Sequence, residues 1–316
     1  MIEIHQCDCL ELLNKLEDNS IDLIATDPPY YKVKSDGWDN QWKNRADYLQ
    51  WMNQVFKEYQ RVLKPIGSLY VFANPYLGSH IELEVEQHFN VLNHLVWRKS
   101  SGRFRGANKE SLRKYFPQTE RIIFAESNKS KAFPYEPILS YLKSGIKRSD
   151  LRPADIHRLT GTQMYNHWFG RSQFTLLSES HYKTLQRHAP NLSKPYHRLR
   201  AEFLALKHNR GRRPFNMNRN KAYTDVWDFN VVNSYKGKHP CEKPADLMEH
   251  IISTSSNKGD VVLDTFFGSG ATLKAAHKLE RQFIGGEFGS DEFNSALQGL
   301  LKEGIQPKII RELTAQ

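Results

Sequence analysis

Cysteine is scarce in this 316-residue chain. Cys7, Cys9 and Cys241 give neither a disulfide framework nor a zinc-ligand spacing, which excludes a stapled secreted fold and a zinc finger. A reducing cytosol is the compartment this implies. The N-terminus lacks an apolar leader, and no stretch approaches ~18 consecutive apolar residues, so neither a signal peptide nor a membrane span is expected. The reading is a cytoplasmic protein. Acid is in deficit: 35 Asp and Glu face 45 Lys and Arg, for a net charge of +10 and a pI of about 9.3. That excess favours a polyanionic partner, nucleic acid before an acidic membrane surface. A basic enzyme with scattered surface charge is the plain alternative. Hydrophobic residues reach only 39%, yet this suffices for a core, and 25% charge is not a disordered composition.

One stretch organises the rest. Residues 21–25 form an apolar run that stops at Asp27-Pro28-Pro29-Tyr30. The run reads as a short buried strand of the parallel kind. Prolines lack the N–H that a ladder needs, so Asp27 stands at a strand's carboxyl end, where open α/β sheets bind ligands. Asp27 and the Pro28 carbonyl offer two acceptors at a fixed angle to an –NH2 group. Tyr30 offers a flat face for a planar base. An exocyclic amine is a poor nucleophile while its lone pair is delocalised; two acceptors on its hydrogens favour a pyramidal, reactive nitrogen. The plain structural reading is an acidic strand end followed by a proline turn.

Strands and helices alternate before and after this corner. Strands are predicted over 1–5, 68–73, 91–97 and 121–125, and helices over 8–16, 48–63 and 79–88. Residues 31–45, with Gly37, Trp38 and Trp42, read as a mobile loop over a site. The pattern is that of a doubly wound α/β sheet. It fades over 129–235, where strand signal is low. There a helix over 155–159, a turn at Thr160-Gly161-Thr162 and a helix over 163–169 have a helix-turn-helix outline. Asn166 and His167, then Arg171 and Gln173, are base-reading types. Residues 207–221 hold six Lys or Arg and no acid, among them Arg210, Arg212 and Arg213, which suits a phosphate clamp. A solvated helical insert is the plain alternative. The alternation resumes after 238, so the chain divides into 1–128, an insert at 129–235, and 236–316.

The last part carries a second site. Strand 261–264 ends at Asp264, the loop Phe266-Phe267-Gly268-Ser269-Gly270 follows, then a helix, then a strand ending at Glu287. Glycines admit a ligand close to the backbone, and the helix N-terminus favours a carboxylate or phosphate. Glu287 can accept from a ribose diol. The loop lacks the full dinucleotide glycine spacing and the Lys-Ser/Thr pair of a phosphate loop, so a nucleoside without phosphates fits better.

These two motifs, in this order, resemble the β-class of S-adenosylmethionine-dependent DNA amino-methyltransferases, a permuted Rossmann-like fold. The resemblance covers both ends of the chain; the middle is similar to a recognition segment of some phage and prophage adenine methyltransferases. It implies that Asp27, Pro28, Pro29 and Tyr30 hold the target base. Phe266, Gly268 and Gly270 would line the cofactor's methionine part, following Asp264. Lys243, in the segment His239-Pro240 to Lys243-Pro244, would take the cofactor carboxylate with Ser269 and Thr272. Glu287 would take its ribose, and Asp8 with Cys9 would edge its adenine. Thr265 and Ala271 stand where the family often has proline and threonine. Asp rather than Ser before Pro-Pro favours adenine-N6 over cytosine-N4. The activity implied is methyl transfer from S-adenosylmethionine to a flipped-out adenine in double-stranded DNA, with no metal. A homodimer is compatible with this, and the sequence is silent on a cognate restriction nuclease. Cytosine-N4 or RNA methylation by the same site, and a DNA-binding regulator with an inactive domain, are the competing readings.

Overall fold

The computed structural model describes residues 1–32, 41–100, 113, 115, 118–128, 133, 135–208, 215–217, 223–233 and 242–311. The chain forms two compact units, one from 1–129 with 212–316 and one from 130–211. The first unit is built on β1 (Ile2–Gln6), β2 (Ile21–Thr26), β3 (Leu63–Ala73), β4 (Phe89–Lys99), β5 (Thr119–Ser127), β6 (Val226–Phe229), β7 (Val261–Asp264), β8 (Gln282–Glu287) and β9 (Lys308–Arg311). They lie in the order β6-β4-β5-β3-β2-β7-β8-β1-β9. Among the described residues only β5 runs antiparallel to its neighbours.

Alternation along each strand sends side chains to two cores. Ile24, Leu69, Val71 and Ile123 meet α1 (Cys9–Lys15), α2 (Arg45–Val62) and α3 (Gly78–Glu86) on one face. Leu23, Tyr70, Phe72 and Val262 meet α9 (Ala245–Ser255), α10 (Ala271–Lys278) and α11 (Ser290–Lys302) on the other. That is the doubly wound α/β sheet expected. Side chains cap α1 and α2: Asp8 accepts from the Leu10 N–H at 2.8 Å, and Asn44 from that of Asp47 at 3.0 Å.

The second unit is helical. It holds α4 (Glu136–Lys147), α5 (Pro153–Thr160), α6 (Tyr165–Phe169), α7 (Glu179–His188) and α8 (Tyr196–His208) around Ile138, Leu142, Ile156, Trp168, Tyr182 and Leu199.

Four expectations change. The insert is shorter than 129–235, because 212–316 clusters with the sheet: β6 pairs with β4, and the Asn216 side chain donates to the Ser256 carbonyl at 2.7 Å. The second helix of the expected helix-turn-helix starts at Tyr165, not 163, and runs for five residues, about 7.5 Å. Its Trp168 and Phe169 are buried in the unit's core, so little of it is free to read a groove. The turn before it is as expected, with Gly161 in the left-handed region at φ 67°. In the 31–45 loop, Tyr31 and Trp42 pack on the core, with Trp42 4.8 Å from Trp51 and 4.9 Å from Tyr48 between ring centroids; residues 33–40, with Gly37 and Trp38, lie outside the described residues. Finally, the strand expected over 68–73 starts earlier, because Lys64-Pro65-Ile66-Gly67 belongs to β3. The pairing jumps from Ile21↔Leu63 to Leu23↔Ser68, and that irregularity accommodates a proline with no N–H to give.

Asp22 ties the sheet together at this irregularity. Only 5% exposed, it accepts from the Lys64 ammonium at 2.7 Å and from the Val261 N–H at 3.0 Å. Asp22→Ala should therefore destabilise the first unit by about 1–3 kcal/mol, the cost of half-buried donors left without their acceptor. Scanning calorimetry should show a fall of several degrees in its melting temperature, and an unchanged transition would refute the role.

Candidate active site

Because β2, β7, β8 and β1 lie side by side in that order and run parallel, their carboxyl ends meet along one edge. Asp8, Asp27, Asp264 and Glu287 follow or close those four strands. A cavity of about 500 Å³ opens there, lined by Asp8, Cys9, Asp27, Pro28, Pro29, Tyr30, Lys243, Asp264, Phe266, Gly268, Ser269, Thr272 and Glu287. The catalytic and cofactor residues expected from sequence are thus brought together, across more than two hundred residues of chain. Gly270 adjoins them as the residue before α10, at φ 81°, and Gly268 has φ 48°. Both are in the left-handed region, where a side chain would be strained, and this is why the loop needs glycine there.

Asp264 is the buried node beneath the loop. One oxygen accepts from the Thr26 hydroxyl at 2.9 Å and the Phe266 N–H at 3.1 Å; the other accepts from the Thr272 hydroxyl at 2.6 Å. Burial pushes its carboxyl up to about 6, against the pull of those donors. Beside it, Tyr59 and Thr265 share a buried hydroxyl–hydroxyl contact. Thr272, which also lines the cavity, thus has Asp264 as the acceptor for its hydroxyl.

Glu287 closes β8. Its two oxygens accept from the backbone N–H groups of Gly268 and Gly289, each at 3.1 Å. Burial raises its carboxyl to about 7, outweighing those two donors. A carboxylate can accept about four hydrogen bonds, so two acceptor positions remain for a ligand diol. Asp8 doubles as the cap of α1. Cys9 is 3% exposed, and burial raises its thiol; Cys7, also lining the cavity, is pushed up to about 11 by burial. Neither is a ready thiolate.

At the other end, the Asp27 carboxylate accepts from the Tyr30 hydroxyl at 2.7 Å through Oδ1 and from the Lys243 ammonium at 2.5 Å through Oδ2. Lys243 therefore has Asp27 as its nearest anion here, a different partner from the cofactor carboxylate. The Tyr48 hydroxyl donates to the Pro29 carbonyl at 3.0 Å and holds the proline corner against α2. Sequence reasoning missed Gln41, Trp51, Phe267, Phe288 and Glu292, which also line the cavity. Trp51 sits 5.8 Å from the Phe266 ring. Its position on the buried face of α2 was its only signal, and that face reads as core.

The residues expected to read DNA are not part of this cavity. Asn166 is exposed on α6, and the His167 ring nitrogen lies 3.4 Å from the Gln173 carbonyl. Arg171 is exposed and ion-paired with Glu136 at 2.9 Å. Arg210, Arg212 and Arg213 lie outside the described residues, as do His239, Pro240 and Cys241.

A parallel α/β sheet whose carboxyl edge joins a glycine loop, a second acid and an Asp-Pro-Pro-Tyr corner defines a Rossmann-like methyltransferase. The chain belongs to the N6_N4_Mtase family, described as DNA methylase, whose profile matches residues 21–298. It is similar to the DNA adenine methyltransferase YhdJ of Escherichia coli (strain K12), 28% identical over 299 residues that cover 93% of this chain and 80% of that one. It is also similar to the type II methyltransferase M1.MboII of Moraxella bovis, 27% identical over 299 residues, 93% of this chain and 94% of that one. In fold it resembles the DNA modification methylase TTHA0409 of Thermus thermophilus, solved with S-adenosyl-L-methionine, at a TM-score of 0.57 and 19% identity over 99% of this chain and 100% of that one.

The raised carboxyl of Glu287 sets a pH dependence. Between its ordinary carboxylate value and about 7, the folded chain holds a proton that the unfolded chain has lost. Its contribution to stability is therefore full at the acid end of that window and lost as pH rises through about 7. Glu287→Gln should flatten this part of the profile, and urea unfolding across the window reads it. An identical slope in parent and variant would count against the burial argument.

Proposed function

We propose that this chain is a sequence-specific DNA methyltransferase that transfers the methyl group of S-adenosylmethionine to N6 of an adenine turned out of the duplex, in the β-class order. The single observation that carries this reading is the meeting of Asp27-Pro28-Pro29-Tyr30 with the Gly268 loop and Glu287 in one cavity. The cavity falls within the range of ligand sites. Its residues fit the cofactor: two left-handed glycines let the loop approach a ligand, and Glu287 has acceptor capacity left for a ribose. S-adenosylmethionine supplies an electrophilic methyl on a sulfonium and leaves as a neutral thioether.

The residues of this chain then do the following. Asp27 and the Pro28 carbonyl accept the two amine hydrogens, which frees the nitrogen lone pair for attack on the methyl carbon. The N–C bond forms as the S–C bond breaks, and one amine proton leaves by way of Asp27 to solvent. Tyr30 stacks on the base. The flipping itself costs a few kcal/mol, recovered from contacts to the base and strand. Adenine is favoured over cytosine by Asp27 preceding the prolines, and one relative named for adenine methylation supports this reading. The helical unit of 130–211 is assigned to DNA recognition, with Asn166, His167, Arg171 and Gln173 as candidate readers, and Arg210, Arg212 and Arg213, at and just past its end in sequence, are assigned to a phosphate clamp.

Asp27→Ala should reduce methylation by about 10²-fold or more, the scale set by comparable positioned groups, while calorimetry shows cofactor affinity nearly unchanged. Digestion of the parent's DNA product to nucleosides should yield N6-methyladenine; N4-methylcytosine would overturn the base assignment. For recognition, Asn166→Ala or Gln173→Ala should relax the methylated sequence at a cost of about 1–3 kcal/mol at the preferred site. Methylation-site sequencing of plasmid DNA checks this, and an unaltered site in both variants would remove α6 from the interface.

A further inference from the structure

Behind Asp27 stands a line of charges that neither motif accounts for. We propose that Lys243 and Glu120 are positioning residues that fix the Asp27 carboxylate for the incoming amine. The inference rests on Asp27 being the amine acceptor.

The Lys243 ammonium lies 2.5 Å from Asp27 and 3.3 Å from Glu120 Oε2. It is 8% exposed, and the Glu120 side chain 13%. The other oxygen of Glu120 is paired with Lys99 at the end of β4. The four charges therefore alternate in sign: Lys99, Glu120, Lys243, Asp27. Aromatic faces enclose the ammonium, with the Phe72 ring centre at 5.0 Å and that of Tyr30 at 5.9 Å. A cation so far from water is retained only while its anions stay in place. Burial alone would raise the Glu120 carboxyl, yet Lys243 and Lys99 together hold it below its usual range.

Two consequences bear on the reaction. The terminal torsion of an aspartate is soft. With the Tyr30 hydroxyl on Oδ1 and Lys243 on Oδ2, that torsion is held from both sides, and the two acceptor positions left over have a set direction. The second concerns field. Positive charge builds on the amine nitrogen as the methyl arrives, and the negative charge of Asp27 stabilises it. Lys243 alone would cancel much of that charge. Glu120 offsets Lys243, so Asp27 is oriented by a cation without being neutralised by it. Glu120 reaches this place from β5, opposite Trp97 in the pairing with β4, outside both sequence motifs.

The test uses the full chain and five variants: Lys243→Met, Glu120→Gln, the double variant of these two, Glu120→Asp and Asp27→Ala. Transfer of labelled methyl groups to DNA gives kcat and KM, calorimetry gives cofactor affinity, and thermal melting reports the fold. Lys243→Met and Glu120→Gln should each lower kcat by about 10²-fold, the scale of a reacting group misplaced by an ångström, with cofactor affinity within about threefold of the parent. The double variant should be no worse than Lys243→Met, and Glu120→Asp should recover part of the loss. If Glu120→Gln does not fold, Lys243→Met and Glu120→Asp decide. Cofactor binding about tenfold weaker in Lys243→Met with kcat retained would overturn the proposal and return Lys243 to the cofactor carboxylate. So would a Glu120→Gln enzyme with parental kcat. An active Asp27→Ala would instead refute the acceptor assignment itself. An inactive Asp27→Ala beside active Lys243 and Glu120 variants would refute the positioning role alone.

Discussion

The parallel pairing of β2 with β7 is the constraint on which the site depends. Leu23 lies beside Val262 and Ile24 beside Leu263, residues separated by most of the chain. Once those strands are side by side and point the same way, Thr26 must arrive next to Asp264, and their hydrogen bond at 2.9 Å follows. The acid corner after β2 and the glycine loop after β7 are then neighbours by geometry alone. Asp264 carries this arrangement at a cost: its carboxyl is buried and its charged form disfavoured. The hydroxyls of Thr26 and Thr272 and the Phe266 N–H offset much of that cost. A buried acid here is a structural fastener whose satisfied acceptors fix the loop, and in the function proposed above the ligand-facing task falls to Glu287.

Much of this was legible in the sequence, for a definite reason. Strands β2 and β7 are short and mostly apolar, β1 and β8 carry apolar residues between polar ones, and all four are bounded by polar or glycine turns, so period and punctuation agree. The chemistry then sits at strand ends, where Asp27, Asp264 and Glu287 interrupt apolar runs. Edge strands were harder to see. Lys308–Arg311 is charged at both ends and Val226–Phe229 holds an aspartate, which suits an edge exposed to water but erases the hydrophobic signal. Their pairing is decided by neighbours far away in the chain. The cavity wall at Trp51 was invisible for a related reason: on α2 a lining aromatic and a core aromatic have the same spacing.

The helical unit was legible in outline only. Ile138, Leu142 and Ile146 mark α4 at helical spacing, yet Gly145 interrupts it, and a side chain at that glycine would meet Leu192. The eye instead settles on the glycine turn at 161, which is real, and lengthens the helix after it. Tyr165–Phe169 is short because Gly170 ends it and because Trp168 and Phe169 are spent on the unit's own core. Residue type suggested base readers there; Asn166, Arg171 and Gln173 are exposed, His167 is half-buried, and Arg171 has an acid for a partner.

Lys243 shows where motif and geometry part. Its place in a motif names the residue but not its partner, because one ammonium near two sites can serve either. Here the choice is set by burial. An ammonium 8% exposed needs anions within reach, and the chain supplies two of them, Asp27 and Glu120. Lys99 balances Glu120 in turn, so the line is neutral as a whole. Neutrality lets these charges leave water at a tolerable cost, and alternation gives each a neighbour of opposite sign. The role proposed for Asp27, holding an amine at a fixed angle, requires a carboxylate that does not swing in solvent. In this chain, strands β2 and β5 and the segment before α9 each contribute one charge to hold it still, with the fourth from the end of β4.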